Sequence, residues 1–487
     1  MFTNPPSADA PLLLLDEATR NSLWTTLIAE IESYIQSVEQ LPVSPILDVA
    51  AIREVAESFD FEHPRGPADT LRSVGQALTR YQVHTPHPSY YGLFNPASTT
   101  MSIAADALVA ALNPQLAAWS HSPLASEMEL HLIRSLAEKF GIPRNQADGV
   151  FASGGAEANH TALLTALFHR WPELGDKGLR ALDRQPVFYV SSEGHHSFLK
   201  AAKASGLGAD ALREIEVDAD LRMRPDALRA ALERDLARGF APFLVIATAG
   251  TTGAGAIDPV PEIARIAQQY GVWFHVDAAW GGAAALVPDL RPLLQGIEQA
   301  DSITFDAHKF LSVSMGAGIY ITRHPNILTR SFGTLTAYMP KEGERLHAVD
   351  PFSHSLQWSR RFIGLKLFMS LAVAGWDGYA ATIRQQVAMG DLLRFRLSRD
   401  AWKIVNDTPL PLVCFTDATG RWDLVQCQRV ANAVIASGQA WISTIQVGGD
   451  KQPALRACIT SFRTEARHIE SLVAALDEAR RSQPFHA

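Results

Sequence analysis

Asp277 and Lys309 are the residues of this chain with the types and spacing best suited to chemistry. Asp277 follows the apolar run Trp273-Phe274-His275-Val276, and Lys309 closes Ser302-Ile303-Thr304-Phe305-Asp306-Ala307-His308-Lys309, 309 − 277 = 32 residues later. A lysine amine forms an imine with an aldehyde, and a carboxylate can keep a pyridine nitrogen protonated so that the ring accepts electrons from a carbanion. Together the two point to pyridoxal phosphate (PLP) chemistry, which neither indicates alone. A carboxylate after a strand buried on both faces needs a partner, and a pyridinium N–H, an arginine or a backbone nest would each serve. A lysine ahead of Phe310-Leu311 is ordinarily solvated; its distance from Asp277 argues otherwise.

Three further stretches suit the same cofactor. Gly154 and Gly155, in Ser153-Gly154-Gly155-Ala156-Glu157-Ala158-Asn159, stand between a strand and a helix, where backbone N–H groups and the helix dipole favour a phosphate. A Gly-Gly turn is otherwise an ordinary connection. His195, in Ser191-Ser192-Glu193-Gly194-His195-His196-Ser197, can stack its imidazole on a flat ring, although His196 competes for that assignment. Thr252, in Ala247-Thr248-Ala249-Gly250-Thr251-Thr252-Gly253, ends a strand with a hydroxyl able to reach a cofactor, or simply forms a polar turn. Ala279 is small, as a residue beneath a ring should be.

The elements that must position these residues are legible in outline. Between about residues 89 and 375, apolar β-rich runs at 149–152, 187–191, 243–248, 272–276, 302–305 and 318–322 alternate with helical patterns at 157–167, 225–237 and 261–270. Such alternation predicts an α/β domain on a mostly parallel sheet, with ligands beyond the carboxyl ends of the strands. His195, Thr252, Asp277 and Lys309 all follow such ends. Residues 1–88 read as a helical segment, with periodicity running from about 23 to 56 and a further helix from about 68. After Gly375-Trp376-Asp377-Gly378, a long helix, short strands and a closing helix at 465–481 read as a smaller α+β domain, residues 376–487.

Composition narrows the class. The 487 residues are 47 % hydrophobic and 19 % charged with net charge −8, an ordinary globular balance with no basic run for nucleic acid. The three cysteines, Cys414, Cys427 and Cys458, lack metal-ligand spacing and fit a reducing cytoplasm, so no metal site is expected. No apolar run approaches the roughly 18 residues of a membrane span, and Pro11-Leu12-Leu13-Leu14-Leu15 is too short for a signal core.

The motifs resemble those of the group II PLP-dependent amino acid decarboxylases, which include aromatic L-amino acid, glutamate, histidine and diaminobutyrate decarboxylases. The resemblance runs from about Pro86 to the C-terminus. It rests on His275-Val276-Asp277-Ala278-Ala279 with Asp306-Ala307-His308-Lys309, and on residues 355–362, Leu365-Lys366, Leu455-Arg456 and Arg463-Thr464. It implies PLP-dependent fold type I (aspartate-aminotransferase-like) and a homodimer with its active site at the interface. It assigns the imine to Lys309, pyridine-nitrogen pairing to Asp277, stacking to His195, ring support to Ala279, a cofactor hydrogen bond to Thr252, and phosphate contact to Gly154, Gly155 and His308. Carbon dioxide would leave a quinonoid intermediate that is then protonated at Cα.

The chain departs from this pattern in places. Ala156 stands where many relatives carry Ser or Thr, and Asp306 where several carry Asn. Many relatives donate the Cα proton from a loop tyrosine, yet Asp350-Pro351-Phe352-Ser353-His354 has none, and Tyr338 lies too far upstream to match. His354 is then the candidate acid; alternatively Phe352 leaves the intermediate open to oxygen, giving an aldehyde. Leu93, Phe94, Asn95 and Gln115 are the candidate substrate contacts; Asn95, Gln115 and His121 either bind a polar distal group or cap helices and fill the dimer interface. Leu93 stands where glutamate decarboxylases put a glutamine, which disfavours glutamate. Gln115 and Ala117 make the pocket more polar and roomier than that of the aromatic enzymes. The expectation is a cytoplasmic PLP-dependent carboxy-lyase acting on an aromatic or polar L-amino acid, with an aldehyde synthase as the alternative. A non-catalytic protein of this fold is a more distant one.

Overall fold

A computed structural model describes residues 13–334, 345–346, 348–399 and 401–483. Seven strands form the large sheet: β1 (Asp148–Ala152), β2 (Pro186–Ser191), β3 (Leu212–Ile215), β4 (Ala241–Thr248), β5 (Trp273–Asp277), β6 (Ser302–Asp306) and β7 (Gly318–Thr322). Their order is β1-β7-β6-β5-β4-β2-β3, and β7 alone runs against its neighbours. The strands are nearly continuous hydrophobic runs because both faces are covered. Within β2 and β4, Tyr189 and Val245 enter one core while Phe188 and Leu244 enter the other, as a period of two requires.

Helices Gly155–Arg170, Ser197–Ala204, Pro225–Ala237 and Val260–Tyr270 supply crossovers or cover the sheet. The last shows how local sequence sets an element's ends. Pro261 sits in the first turn, Ile263, Ile266 and Ala267 face the core, and Gly271 stops the helix in the left-handed region. The edge strand β3 lacks a sequence signature: it has four residues, Leu-Arg-Glu-Ile, of which only Ile215 is buried.

The long helix Leu365–Arg399 is broken at Gly375, whose φ of +64° and ψ of 176° are not helical. Beyond it, β8 (Trp402–Ile404), β9 (Leu412–Asp417), β10 (Ser443–Val447) and β11 (Gln452–Cys458) form an antiparallel sheet in the order β10-β11-β9-β8. Helices Leu424–Ala436 and Ala466–Ser482 pack with this sheet in a second core.

At the N-terminus, the helical pattern at 23–56 is divided into Glu17–Ser37 and Val49–Glu57, the latter capped by Asp48. Pro42 and Pro45 in the intervening stretch cannot donate helical hydrogen bonds. Neither helix, nor the next one, Pro67–Tyr81, buries a single residue in the isolated chain. Cys414, Cys427 and Cys458 are buried and free. Among the described residues no helix is long and apolar enough to cross a membrane.

Candidate active site

The carboxyl ends of β2, β4, β5 and β6 open on one cavity of about 110 Å³. Its walls bring together Gly155, His195, Thr252, Asp277, Ala279 and Lys309, six of the residues singled out from sequence. Adjacency of β5 and β6, with Asp277 opposite Thr304, explains why the 277–309 separation is productive. One strand ends in the carboxylate, and the next delivers the lysine one turn beyond its own end.

Asp277 is buried, and each of its oxygens has a donor. The Asn159 Nδ2 donates to Oδ2 at 2.8 Å, and the Ala279 N–H donates to Oδ1 at 3.1 Å. Charge-assisted hydrogen bonds of this kind sustain an ionised carboxylate away from water. Lys309 Nζ lies 3.0 Å from Asp306 Oδ2 and 5.4 Å from the centroid of the Phe94 ring. Arg456 meets the same ring, its Cζ 5.0 Å from the centroid. Arg456 is itself buried. It donates to the carbonyls of Thr252, Gly253 and Gly92, while its Nη2 has no partner among the described residues.

His195 accepts at Nδ1 from the Ser197 N–H at 3.2 Å and lies 2.8 Å from the Ser197 hydroxyl. Burial holds its imidazole below the usual pKa, with Asp277 opposing that shift. His308 is likewise depressed by burial, against Asp306. It does not line the cavity directly but stands beside Gly154, where a built Cβ would come 3.7 Å from its Cε1.

The cavity fits PLP on its own geometry. The helix Gly155–Arg170 begins at its edge, and first-turn N–H groups have no intrahelical acceptor. A Cβ on Gly155 would sit 2.7 Å from Asp306 Oδ2, so the approach of this turn to the lysine's partner requires glycine. The buried Thr248 hydroxyl also lines the cavity and lacks a partner among the described residues. Gly155→Ala should therefore displace Asp306 from Lys309 and weaken PLP binding on the order of tenfold, as read by titrating the cofactor-free protein, since overpacking costs about 1–3 kcal/mol.

Other candidates lie elsewhere in the single chain. Leu93 is 58 % exposed and its N–H donates to the Tyr90 hydroxyl, while Asn95 is half-buried on the same stretch. Gln115 pairs with Arg361 across an isolated bridge. His354 packs 3.7 Å from Asp148, in a separate cavity shared with Trp119, Glu129 and Arg360. Tyr338 lies outside the described residues. Asn159, Asp306 and Arg456 escaped sequence reasoning as site residues. Each nonetheless lay within a stretch the sequence singled out: Asn159 after the Gly-Gly turn, Asp306 before Lys309, and Arg456 in the Leu455-Arg456 motif.

A sheet of this order with a lysine and a carboxylate at neighbouring strand ends defines a fold type I PLP enzyme. The pyridoxal-dependent decarboxylase conserved domain matches residues 59–417, and the chain belongs to that family. Cysteine sulfinic acid decarboxylase of Mus musculus is 33 % identical over 70 % of this chain and 69 % of its own. Tyrosine decarboxylase of Oryza sativa subsp. japonica is 29 % identical over 96 % and 92 %. The 4-hydroxyphenylacetaldehyde synthase of Rhodiola rosea is 27 % identical over 98 % of both. The crystal structure of mouse CSAD superposes with a TM-score of 0.88 at 26 % identity, covering 96 % of this chain and 99 % of that one. The protein is a PLP-dependent carboxy-lyase.

Proposed function

We propose that the chain decarboxylates an L-amino acid with an aromatic or polar side chain to its amine, glutamate being disfavoured. The supporting observation is the convergence of Lys309, Asp277 and His195 on one cavity, with Phe94 beside the lysine. Bound PLP supplies the electron sink for the pair left behind when carbon dioxide departs. In this reading Lys309 holds the cofactor between turnovers, Asp277 keeps a proton on its ring nitrogen, and His195 and Ala279 cover its two faces. Thr252 contacts the cofactor, while Gly154, Gly155 and His308 hold its phosphate. Nη2 of Arg456, without a partner among the described residues, takes the substrate carboxylate, and Phe94 is a flat apolar wall. Leu93 offers no hydrogen bond to a distal carboxylate, and Asn95 and Gln115 supply polar contacts.

The test is a panel of L-amino acids followed simultaneously for carbon dioxide, amine, aldehyde and hydrogen peroxide. Carbon dioxide with equal amine supports the reading. Carbon dioxide with aldehyde, ammonia and peroxide, at the expense of oxygen, establishes the second one, which the likeness to an aldehyde synthase favours. No carbon dioxide from any substrate defeats both.

The proton for Cα separates these outcomes. In this reading the acid is His354, which packs 3.7 Å from Asp148 in the single chain. His354→Gln should shift the amine-to-aldehyde ratio strongly toward aldehyde. An unchanged ratio would remove the imidazole as the acid.

The working unit in this reading is a cytoplasmic homodimer of 1–88, 89–375 and 376–487 units. Support comes from Trp24, Ile28, Val74 and Leu78, exposed apolar side chains on N-terminal helices that bury nothing in one chain. Equilibrium sedimentation at the mass of one chain would refute the dimer.

A further inference from the structure

Behind the cavity runs a chain of hydrogen bonds that ends on both groups facing the cofactor. Asn159, buried on helix Gly155–Arg170, donates from one Nδ2 to Asp277 Oδ2 at 2.8 Å and to Ser197 Oγ at 3.0 Å. Both hydrogens of that amide are thereby used. Ser197 Oγ, having accepted, gives its own hydrogen to His195 Nδ1 at 2.8 Å, alongside the Ser197 backbone N–H. His195 Nδ1 is then an acceptor, and in the neutral ring the proton sits on Nε2.

The other end of the amide is fixed from the sheet. Asn159 Oδ1 lies 3.4 Å from Nε2 of the fully buried His275. The Trp273 Nε1–H donates to Ser302 Oγ at 2.8 Å, and Ser302 Oγ lies 2.9 Å from His275 Nδ1. Asn159 Oδ1 only accepts, so a neutral His275 takes the Ser302 hydroxyl hydrogen at Nδ1 and presents Nε2–H to that oxygen. Thr304 Oγ1, 3.3 Å away, is a second neighbour of the same nitrogen. Burial drives His275 to a pKa of about 4, so the ring is neutral, as this arrangement requires.

We propose that Asn159 is a positioning residue for decarboxylation: one carboxamide, oriented by His275, holds the carboxylate that faces the cofactor ring nitrogen and, through Ser197, sets the tautomer of the imidazole over the ring. The inference rests on the cofactor-site reading above. Neither His275 nor Ser197 lines the cavity, so both act through Asn159 and His195. Turning the amide over would put its oxygen against Asp277 Oδ2 and its nitrogen against the His275 N–H, losing both of those bonds.

The test uses full-length protein with ¹⁵N-labelled histidine, read with and without PLP, beside cofactor titration of the apo form. In the wild type, His195 and His275 should both show a pyridine-like Nδ1 and a protonated Nε2. Asn159→Ala should shift the His195 Nδ1 resonance, weaken PLP binding about tenfold or more and lower kcat, because a hydrogen bond to a charged group is lost. Ser197→Ala separates the arms and keeps the proposal testable if Asn159→Ala does not fold. It should move the His195 resonance and lower kcat while leaving PLP affinity within about twofold, and Ser197→Thr, which keeps the hydroxyl, should restore both. His195 resonances that do not move in folded Ser197→Ala or Asn159→Ala, or a wild-type His195 protonated at Nδ1, would overturn the proposal. Failure of the wild type to take up PLP, with Lys309→Ala no different, would instead overturn the cofactor site itself.

Discussion

Lys309→Ala should lose turnover by on the order of 10³-fold or more while the chain keeps its fold. In the proposed reading the amine is the nucleophile that binds the cofactor aldehyde, and positioned groups of this kind contribute about 10²–10⁴-fold. Its surroundings indicate a functional lysine. Nζ pairs with the buried Asp306 and lies over Phe94 in a cavity wall, where a solvated lysine would have no purpose. Removing it leaves Asp306 buried without its ion-pair partner, so the variant should also melt somewhat lower. The decisive readout is borohydride reduction followed by peptide mapping. The wild type should carry the reduced pyridoxyl group on Lys309, and the variant should carry none. Undiminished carbon dioxide release by Lys309→Ala would remove this lysine from the reaction.

Asp277→Asn should retain PLP poorly and lower kcat on the order of 10²–10³-fold, the range expected when one preorganised electrostatic partner is lost. The substitution preserves size, and the Ala279 N–H can still donate to the amide oxygen. It fails elsewhere. The new NH₂ group would face the Asn159 NH₂ now 2.8 Å from Oδ2, donor against donor. In the proposed reading a neutral amide would also no longer hold the proton on the cofactor nitrogen, and the ring would be a weaker electron sink. The visible spectrum of the loaded variant and its kcat should change together. A variant with normal cofactor affinity and a kcat within about threefold of wild type would show that the ring nitrogen is held by another group.

Much of this was legible in the residues. The six strands read from apolar runs lie within about two residues of their observed ends, because strands buried on both faces leave little ambiguity in hydrophobicity. β3 was not legible, because an edge strand with one buried residue has no such run. The division of the first helical segment at Pro42 and Pro45 was written in the sequence but masked by periodicity that continues on either side.

The sequence by itself determined the chemistry. Consecutive parallel strands deliver their carboxyl ends to one edge of a sheet, so residues placed just after those ends must converge, however many residues separate them. That rule brings His195, Thr252, Asp277 and Lys309 together from their sequence positions alone. Only the tertiary structure decided which neighbours hold them. Asn159 is 118 residues from Asp277, Glu129 is 231 from Arg360, and Arg456 is 364 from Gly92. His354 follows no strand of the parallel set and packs at the start of β1, beside Asp148, in a cavity separate from that of Lys309. Such pairings depend on side-chain reach and on the packing of a helix against a sheet. Local spacing encodes the strand ends, but it carries no record of contacts made across the fold.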